Sequence, residues 1–241
     1  MSPERATGTA THADDPPAAV ADRRSLGILG GTFNPPHLGH LALARHALSE
    51  LGLARVLLMP AHIPPHKPAG EGGWDPGPEH RLRMCQLAVA GEDCLSACAL
   101  EIERGGPSYT VDTLTAIHAS HPDAPLTFLV GADTASTLAS WREPARLLAL
   151  ADLAVAARAR SASRQRVLDT VAALASGDRL PRVRFLAMPA IDISSSQARR
   201  RAALGEPIEE LVGPAVAAYI AEHRLYRSPV LAAGRTEARE L

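Results

Sequence analysis

A short apolar run, Leu26, Gly27, Ile28 and Leu29, stops at the pair Gly30 and Gly31. After Pro35 and Pro36 the pattern Leu38, Leu41, Ala42, Arg45 and Leu48 returns at helical spacing until Gly52. This spells a buried strand, a tight glycine turn and a helix. The alternation continues along the chain, predicting strands over residues 55–59, 126–130, 153–157 and 183–188. Helices are expected over 79–89, 110–119, 163–174, 194–204 and 214–222, with short ones at 132–138 and 144–150 around Trp141. A short extended piece is expected near 95–100. Alternating strands and helices predict an α/β fold: a mostly parallel central sheet, helices on both faces and a small C-terminal helical part.

The rest of the composition narrows function by exclusion. With 25 Lys plus Arg against 26 Asp plus Glu and 46% hydrophobic residues, the 241-residue chain carries neither the signature of wholesale disorder nor a broad basic surface. No nucleic-acid partner is expected. Cys85, Cys94 and Cys98 do not make a disulfide framework, and no signal-like apolar segment follows the start, so a cytoplasmic address is expected. No apolar run is long enough to span a bilayer, and Asp152 interrupts the stretch around Leu147, so no membrane role is expected. Residues 1–24 and 229–241 lack periodicity and are expected to be a disordered extension and tail on a single domain, 25–228.

Ligands of such sheets gather beyond the carboxyl ends of the strands, here the loops after Leu29, Met59, Val130 and Met188. In the first of these, Gly30 and Gly31 let the backbone approach a phosphate, and the following helix offers unpaired N–H groups at its positive end. His37 and His40, three apart, share a helix face and can converge on one group, donating while neutral or adding charge when protonated. The alternative is a pair of surface histidines. Neither GxGxxG nor GxxxxGK with Ser or Thr occurs, which disfavours dinucleotide hydride transfer and P-loop hydrolysis.

Three further features carry chemistry. Lys67, the single lysine among 25 basic residues, sits in a long proline-rich loop as a compact charge suited to phosphate. Ser194, Ser195 and Ser196 head a helix containing Arg199, where the hydroxyls either cap the helix or bind an anion together with the guanidinium. Trp141 offers an indole face for stacking, or else is an ordinary core aromatic.

The segments GGTFNPPHLGH at 30–40, PPHK at 64–67, SYTVDTL at 108–114, GAD at 131–133 followed by Trp141, and ISSSQAR at 193–199 resemble, in that order, bacterial nicotinate-nucleotide adenylyltransferases of the HxGH nucleotidylyltransferase superfamily. The resemblance runs from about residue 26 to 227. ISSS stands where ISST is more usual, and residues 70–77 look longer than the common form. The resemblance implies a Rossmann-like nucleotidylyltransferase fold and transfer of the adenylyl group of ATP to nicotinate mononucleotide in NAD biosynthesis, with Mg2+ accompanying ATP. It implies catalytic roles for His40, His37, Lys67 and Arg199. ATP would lie against Gly30, Gly31, Thr32, Phe33, His37 and His40 of the turn, and against Gly131, Asp133, Ser194, Ser195 and Arg199. Nicotinate mononucleotide would lie against Thr32, Asn34, Lys67, Tyr109, Thr110 and Trp141.

The attacking phosphate is already ionised near neutral pH, so no strong general base is required, and His40 is cast as a donor to the α-phosphoryl oxygens. No resident metal is expected. Rival readings are a nicotinamide-mononucleotide-preferring enzyme, a pantetheine-phosphate type adenylyltransferase, a zinc site built from His and Cys, and a noncatalytic nucleotide sensor. A homo-oligomer stays open.

Overall fold

The computed structural model describes residues 24–65, 74–156, 161–175, 181–188 and 191–227. His66, Lys67 and the expected terminal segments, Arg24 apart, lie outside the described residues. Among the described residues there are six strands: β1 (Leu26–Gly31), β2 (Arg55–Pro60), β3 (Leu95–Ala97), β4 (Leu126–Gly131), β5 (Asp152–Ala156) and β6 (Val183–Leu186). They form one sheet in the order β3-β2-β1-β4-β5-β6, with every neighbouring pair parallel. This is the strand order of a Rossmann-like doubly wound fold. The chain runs outward from β1 to β3 and then crosses back to β4, so a crevice opens where β1 and β4 end side by side.

The helices are α1 (Leu38–Leu51), α2 (Pro78–Ala88), α3 (Leu100–Arg104), α4 (Thr110–Ser120), α5 (Ala132–Ala135), α6 (Pro144–Leu150), α7 (Ser161–Leu174), α8 (Ser195–Leu204), α9 (Glu209–Val212) and α10 (Pro214–Glu222). Two of them, α3 and α9, were not legible as helices, because four or five residues are too few for a 3.6-residue period to register. The expected helix at 132–138 is α5 followed by a 3-10 turn, Leu138–Ser140. The last strand ends two residues earlier than expected, at Leu186, where its neighbour β5 also runs out at Ala156.

Side chains alternate across the sheet and so feed two cores. Ile28, Phe128 and Val130 pack with Leu114, Leu147 and Val167 on the face covered by α4, α6 and α7. Leu29 and Leu129 pack with Leu41, Ala44 and Ala47 of α1 on the other. On that second face Gly27 leaves room for its neighbours, since a Cβ there would lie 2.8 Å from both Leu53 and Val56. Gly52, at φ 62°, ends α1 in the left-handed region and returns its N–H to Leu48 O. The C-terminal helices form a third cluster with α2, in which Met84 meets Ala198, Leu211, Val216, Ile220 and Tyr226.

The carboxyl ends of β1 and β2 are held by a buried cation. Arg81 of α2 is 1% exposed. Its Nη1 donates to Thr32 O at 2.9 Å and Ala61 O at 2.5 Å, its Nη2 to His62 O at 3.0 Å, and its Nε to Asp75 Oδ1 at 3.0 Å. Such a fork satisfies carbonyls on two different strand ends at once. Arg81→Ala strands those carbonyls away from water and is expected to lower unfolding free energy in urea by about 3 kcal/mol, with Arg81→Lys recovering less than half. Equal stability of the alanine variant and the parent chain would remove the guanidinium from this role.

Candidate active site

The turn after β1 has its carbonyls claimed from outside. Gly31 O accepts from Ala61 N–H at 2.9 Å and Thr32 O from Arg81. Asn34 O accepts from Arg199 Nη1 at 2.7 Å, and Pro35 O from Ser195 Oγ at 2.8 Å. Each carbonyl so engaged is one fewer negative dipole end able to oppose an anion at the turn. Phe33, at φ 51° and 2% exposed, lies beneath, with its ring edge-on to His40 at 4.8 Å. A Cβ on Gly31 would lie 3.2 Å from that ring.

His37 precedes α1 and His40 lies in its first turn, their rings stacked at 3.7 Å between centroids. Gly39 permits this pairing, because a Cβ there would lie 3.0 Å from His37 Nδ1. Burial lowers the His37 pKa to about 4. Burial first, and repulsion from His37 second, lower that of His40 to about 3. The choice left open between neutral and charged imidazoles is thereby made: both are neutral near pH 7. His40 Nδ1 accepts from His37 N–H at 3.1 Å, which assigns the ring proton of His40 to Nε2. Among the described residues, His37 Nδ1 is buried without a hydrogen-bond partner.

Two adjoining cavities open at the β1–β4 crevice. One of about 400 Å³ is lined by Gly30, His37, Gly39, His40, Gly131 and Thr134, with an apolar wall that includes Leu43, Met188, Ile191 and Ile193. The other, about 300 Å³, is lined by Thr32, Pro64, Pro65, Tyr109, Thr110 and Arg142 and reaches down to Glu101 and Ser108. Gly30, Phe128, Thr134 and Trp141 line both. Trp141 stands between the cavities, its ring edge-on to Phe128 at 5.9 Å and its Nε1 donating to Thr137 Oγ1 at 3.3 Å. The Arg142 guanidinium lies 4.7 Å over the Tyr109 ring and 3.7 Å from Asp112 Oδ2. Burial pushes the Glu101 carboxyl above its ordinary range, partly offset by hydrogen bonds from Thr113 and Ser108 and by Arg104 and Arg81.

The structure gathers most of the expected site residues here. Gly30, His37, His40, Gly131 and Trp141 line the first cavity. Gly31, Thr32, Tyr109 and Thr110 line the second. Others stand behind the cavities. Asn34, 8% exposed, accepts at Oδ1 from Tyr226 OH at 2.6 Å and donates from Nδ2 to Trp74 O at 3.4 Å. Ser194 Oγ caps α8 by accepting from Gln197 N–H. Ser195 and Arg199 hold the turn backbone, and Arg199 Nη2 also donates to Ser196 Oγ at 3.1 Å. Asp133 is exposed on α5 and lines neither cavity. Lys67 falls outside the described residues, so of His40, Lys67 and Arg199 the structure brings two to one turn.

Arg142, Thr134, Glu101, Arg81 and Tyr226 were missed. Arg81 had a signal, because it shares the spacing of Met84, Cys85 and Ala88 on α2 and thus falls on that helix's inward face. Arg142 had adjacency to Trp141. Glu101 had none beyond its charge.

Among the described residues, no three of His, Cys, Asp and Glu gather where a metal ion could be held, and no helix is long and apolar enough to cross a membrane. The histidine pair has a consequence for stability. The unfolded imidazoles titrate near 6.5 and the folded ones near 4 and 3, so below about pH 6.5 the unfolded chain binds more protons. Stability is expected to fall as pH drops from about 6.5 toward 3, and a His37→Gln, His40→Asn double variant should lose less across that window. Urea midpoints at stepped pH check this, and identical acid limbs would refute it.

A family model described as cytidylyltransferase-like matches residues 28–201. A "Probable nicotinate-nucleotide adenylyltransferase" of Symbiobacterium thermophilum is 40% identical over 203 residues, covering 83% of this chain and 94% of that protein. One of the same name from Thermomicrobium roseum is 43% identical over 203 residues, covering 84% and 92%. A solved structure of Plasmodium falciparum nicotinic acid mononucleotide adenylyltransferase complexed with APC shares the fold at a TM-score of 0.64 and 18% identity, covering 84% of this chain and 97% of that one. The family match spans the glycine turn and the residues that line both cavities, and the chain belongs to the cytidylyltransferase-like family, among its nicotinate-nucleotide adenylyltransferases.

Proposed function

We propose that the protein transfers the adenylyl group of ATP to the phosphate of nicotinate mononucleotide, forming nicotinate adenine dinucleotide and pyrophosphate in NAD biosynthesis. The observation that carries this reading is the pair of adjoining cavities sharing Gly30 and Trp141, with two neutral imidazoles lining the larger one. ATP would take the larger cavity, its adenine against the apolar wall and its α-phosphate at the turn. The mononucleotide would take the smaller one, its pyridine ring against Trp141 and its carboxylate toward the start of α4 at Tyr109 and Thr110, where the helix dipole favours an anion.

An oxygen of the acceptor phosphate attacks the α-phosphorus in line, and the bond to the bridging oxygen breaks, so pyrophosphate leaves with the electron pair. The acceptor is already ionised, so no proton need be removed. Positioning and charge neutralisation supply the acceleration. His40 donates from Nε2 to the α-phosphoryl oxygen, and His37 lies beside it, ring on ring. Gly30, Gly31, Thr32 and the buried Phe33 shape the turn itself.

Arg199, Ser194 and Ser195, at the head of α8, stand next to that turn and would meet the β- and γ-phosphates together with Lys67. Asp133 would accept from ribose hydroxyls. Asn34 would act from beneath the acceptor's phosphate rather than on it. Imidazole, hydroxyl and guanidinium groups are donors to phosphate rather than hard-cation cages, which fits Mg2+ carried by ATP and water. That ion would supply charge neutralisation on the phosphates. Free Cys85, Cys94 and Cys98 fit the reducing cytoplasm.

The test is pyrophosphate release with ATP and Mg2+ and, in turn, nicotinate mononucleotide, its amide and phosphopantetheine. Nicotinate mononucleotide is expected to give the highest kcat/KM, whereas activity with none of the three would turn the reading toward a nucleotide sensor. His40→Ala is expected to lower kcat by about 10²–10³-fold with an unchanged circular dichroism spectrum. Near-parental turnover in that folded variant would remove His40 from the chemistry.

A further inference from the structure

Beneath the smaller cavity lies an acid that the reaction as described does not use. Glu101 belongs to α3, the five-residue helix behind the cavity floor, and is 6% exposed. A buried carboxyl is retained only where hydrogen bonds answer its lost hydration. Here a hydroxyl does so. Thr113 Oγ1 donates to Glu101 Oε1 at 2.5 Å, itself accepting from Arg104 Nη2 at 3.2 Å, and the Ser108 hydroxyl lies with Glu101 on the floor of the same cavity.

These two hydroxyls bracket Tyr109 and Thr110. Ser108 also ties this segment to the opposite wall. Its Oγ accepts from His62 N–H at 2.8 Å, and its N–H donates to Ile63 O at 2.9 Å, just before Pro64 and Pro65. His62 Nδ1 meets Gly106 O at 3.1 Å. Tyr109 and Thr110 are thus clamped from two sides: Thr113 ties them to the carboxyl, and Ser108 ties them to the segment that leads into Pro64 and Pro65.

We propose that Glu101 is a positioning residue for the acceptor: hydrogen-bonded by Thr113 at the cavity floor, it sets the place of the Tyr109 and Thr110 wall and hence the fit of the mononucleotide's ring and carboxylate. This rests on the reading of the smaller cavity as the acceptor site. The ATP cavity shares Gly30, Phe128, Thr134 and Trp141 with the smaller one, but its remaining wall comes from α1 and from Met188, Ile191 and Ile193, and none of Glu101, Ser108, Tyr109, Thr110 and Thr113 lines it. The clamp therefore acts on one substrate and not on the other, which a general loss of stability would not do.

The test is steady-state kinetics of purified full-length variants with each substrate varied in turn. Glu101→Ala is expected to raise KM for nicotinate mononucleotide about tenfold, the scale of one buried charge-assisted hydrogen bond, leaving KM for ATP and kcat within about twofold. Glu101→Gln, which keeps an acceptor for Thr113, should recover most of the loss. Should Glu101→Ala not fold, Thr113→Val, equal in shape and lacking the donor, decides by the same selective rise. Both KM values rising together, or neither moving, would overturn the assignment while leaving the reaction in place. A parental chain that neither binds nicotinate mononucleotide in calorimetry nor adenylylates it would overturn the cavity reading, and this assignment with it.

Discussion

The structure depends on a glycine turn whose carbonyls are held from outside. Gly31, Thr32, Asn34 and Pro35 give their oxygens to Ala61 N–H, Arg81, Arg199 and Ser195 respectively. These donors come from the loop after β2, from α2 and from α8, so elements far apart in sequence are fastened to the same few peptides. The C-terminal helices, a remote appendage in the element order, are brought into the site through Arg199 and through Tyr226 OH on Asn34. An anion-binding turn built this way is preorganised, because its dipoles need not reorient when charge arrives.

The same economy explains two histidines in an apolar setting. Stacked at 3.7 Å and half-buried, with His40 edge-on to Phe33, they are held neutral, which costs stability in acid but leaves donors that need not shed a proton near pH 7. Gly39 is part of the device, since any side chain there would run into His37 Nδ1. Of the three fixed letters in HLGH, two supply donors and the third supplies the room for them to lie ring on ring.

The fold was legible because most of its signals are long: strands of four to six residues and helices of seven to fourteen carry their own period. The turn, too, announced itself, being local and rich in unusual residues. What stayed hidden was of two kinds. The helices α3 and α9 are shorter than the pattern that reveals helices. Arg81, Glu101 and Tyr226 act through tertiary partners 12 to 192 residues away, as in Thr113 on Glu101 and Tyr226 on Asn34. A buried charge or phenol reads in sequence like a solvated one until its partners are known. Asn34 is a mixed case: its place in the turn is plain from the sequence, but the partners of its side chain, Tyr226 and Trp74, are not.

Residues that line the cavities and residues that hold them thus come from different sequence grammars. The cavities are lined at strand ends, by Gly30, Phe128 and Gly131, where parallel pairing sets the backbone to within the register of the sheet. The supports, Arg81, Glu101, Arg199 and Tyr226, come from helices and the C-terminal segment, and each reaches across the crevice edge to a carbonyl, a hydroxyl or an amide. Small residues at strand ends give an anion room, and long residues on helices keep that room from closing. A sheet of this order provides the crevice in any chain, but only the second set decides how far apart its walls stand, and therefore which pair of phosphate-bearing molecules can meet there.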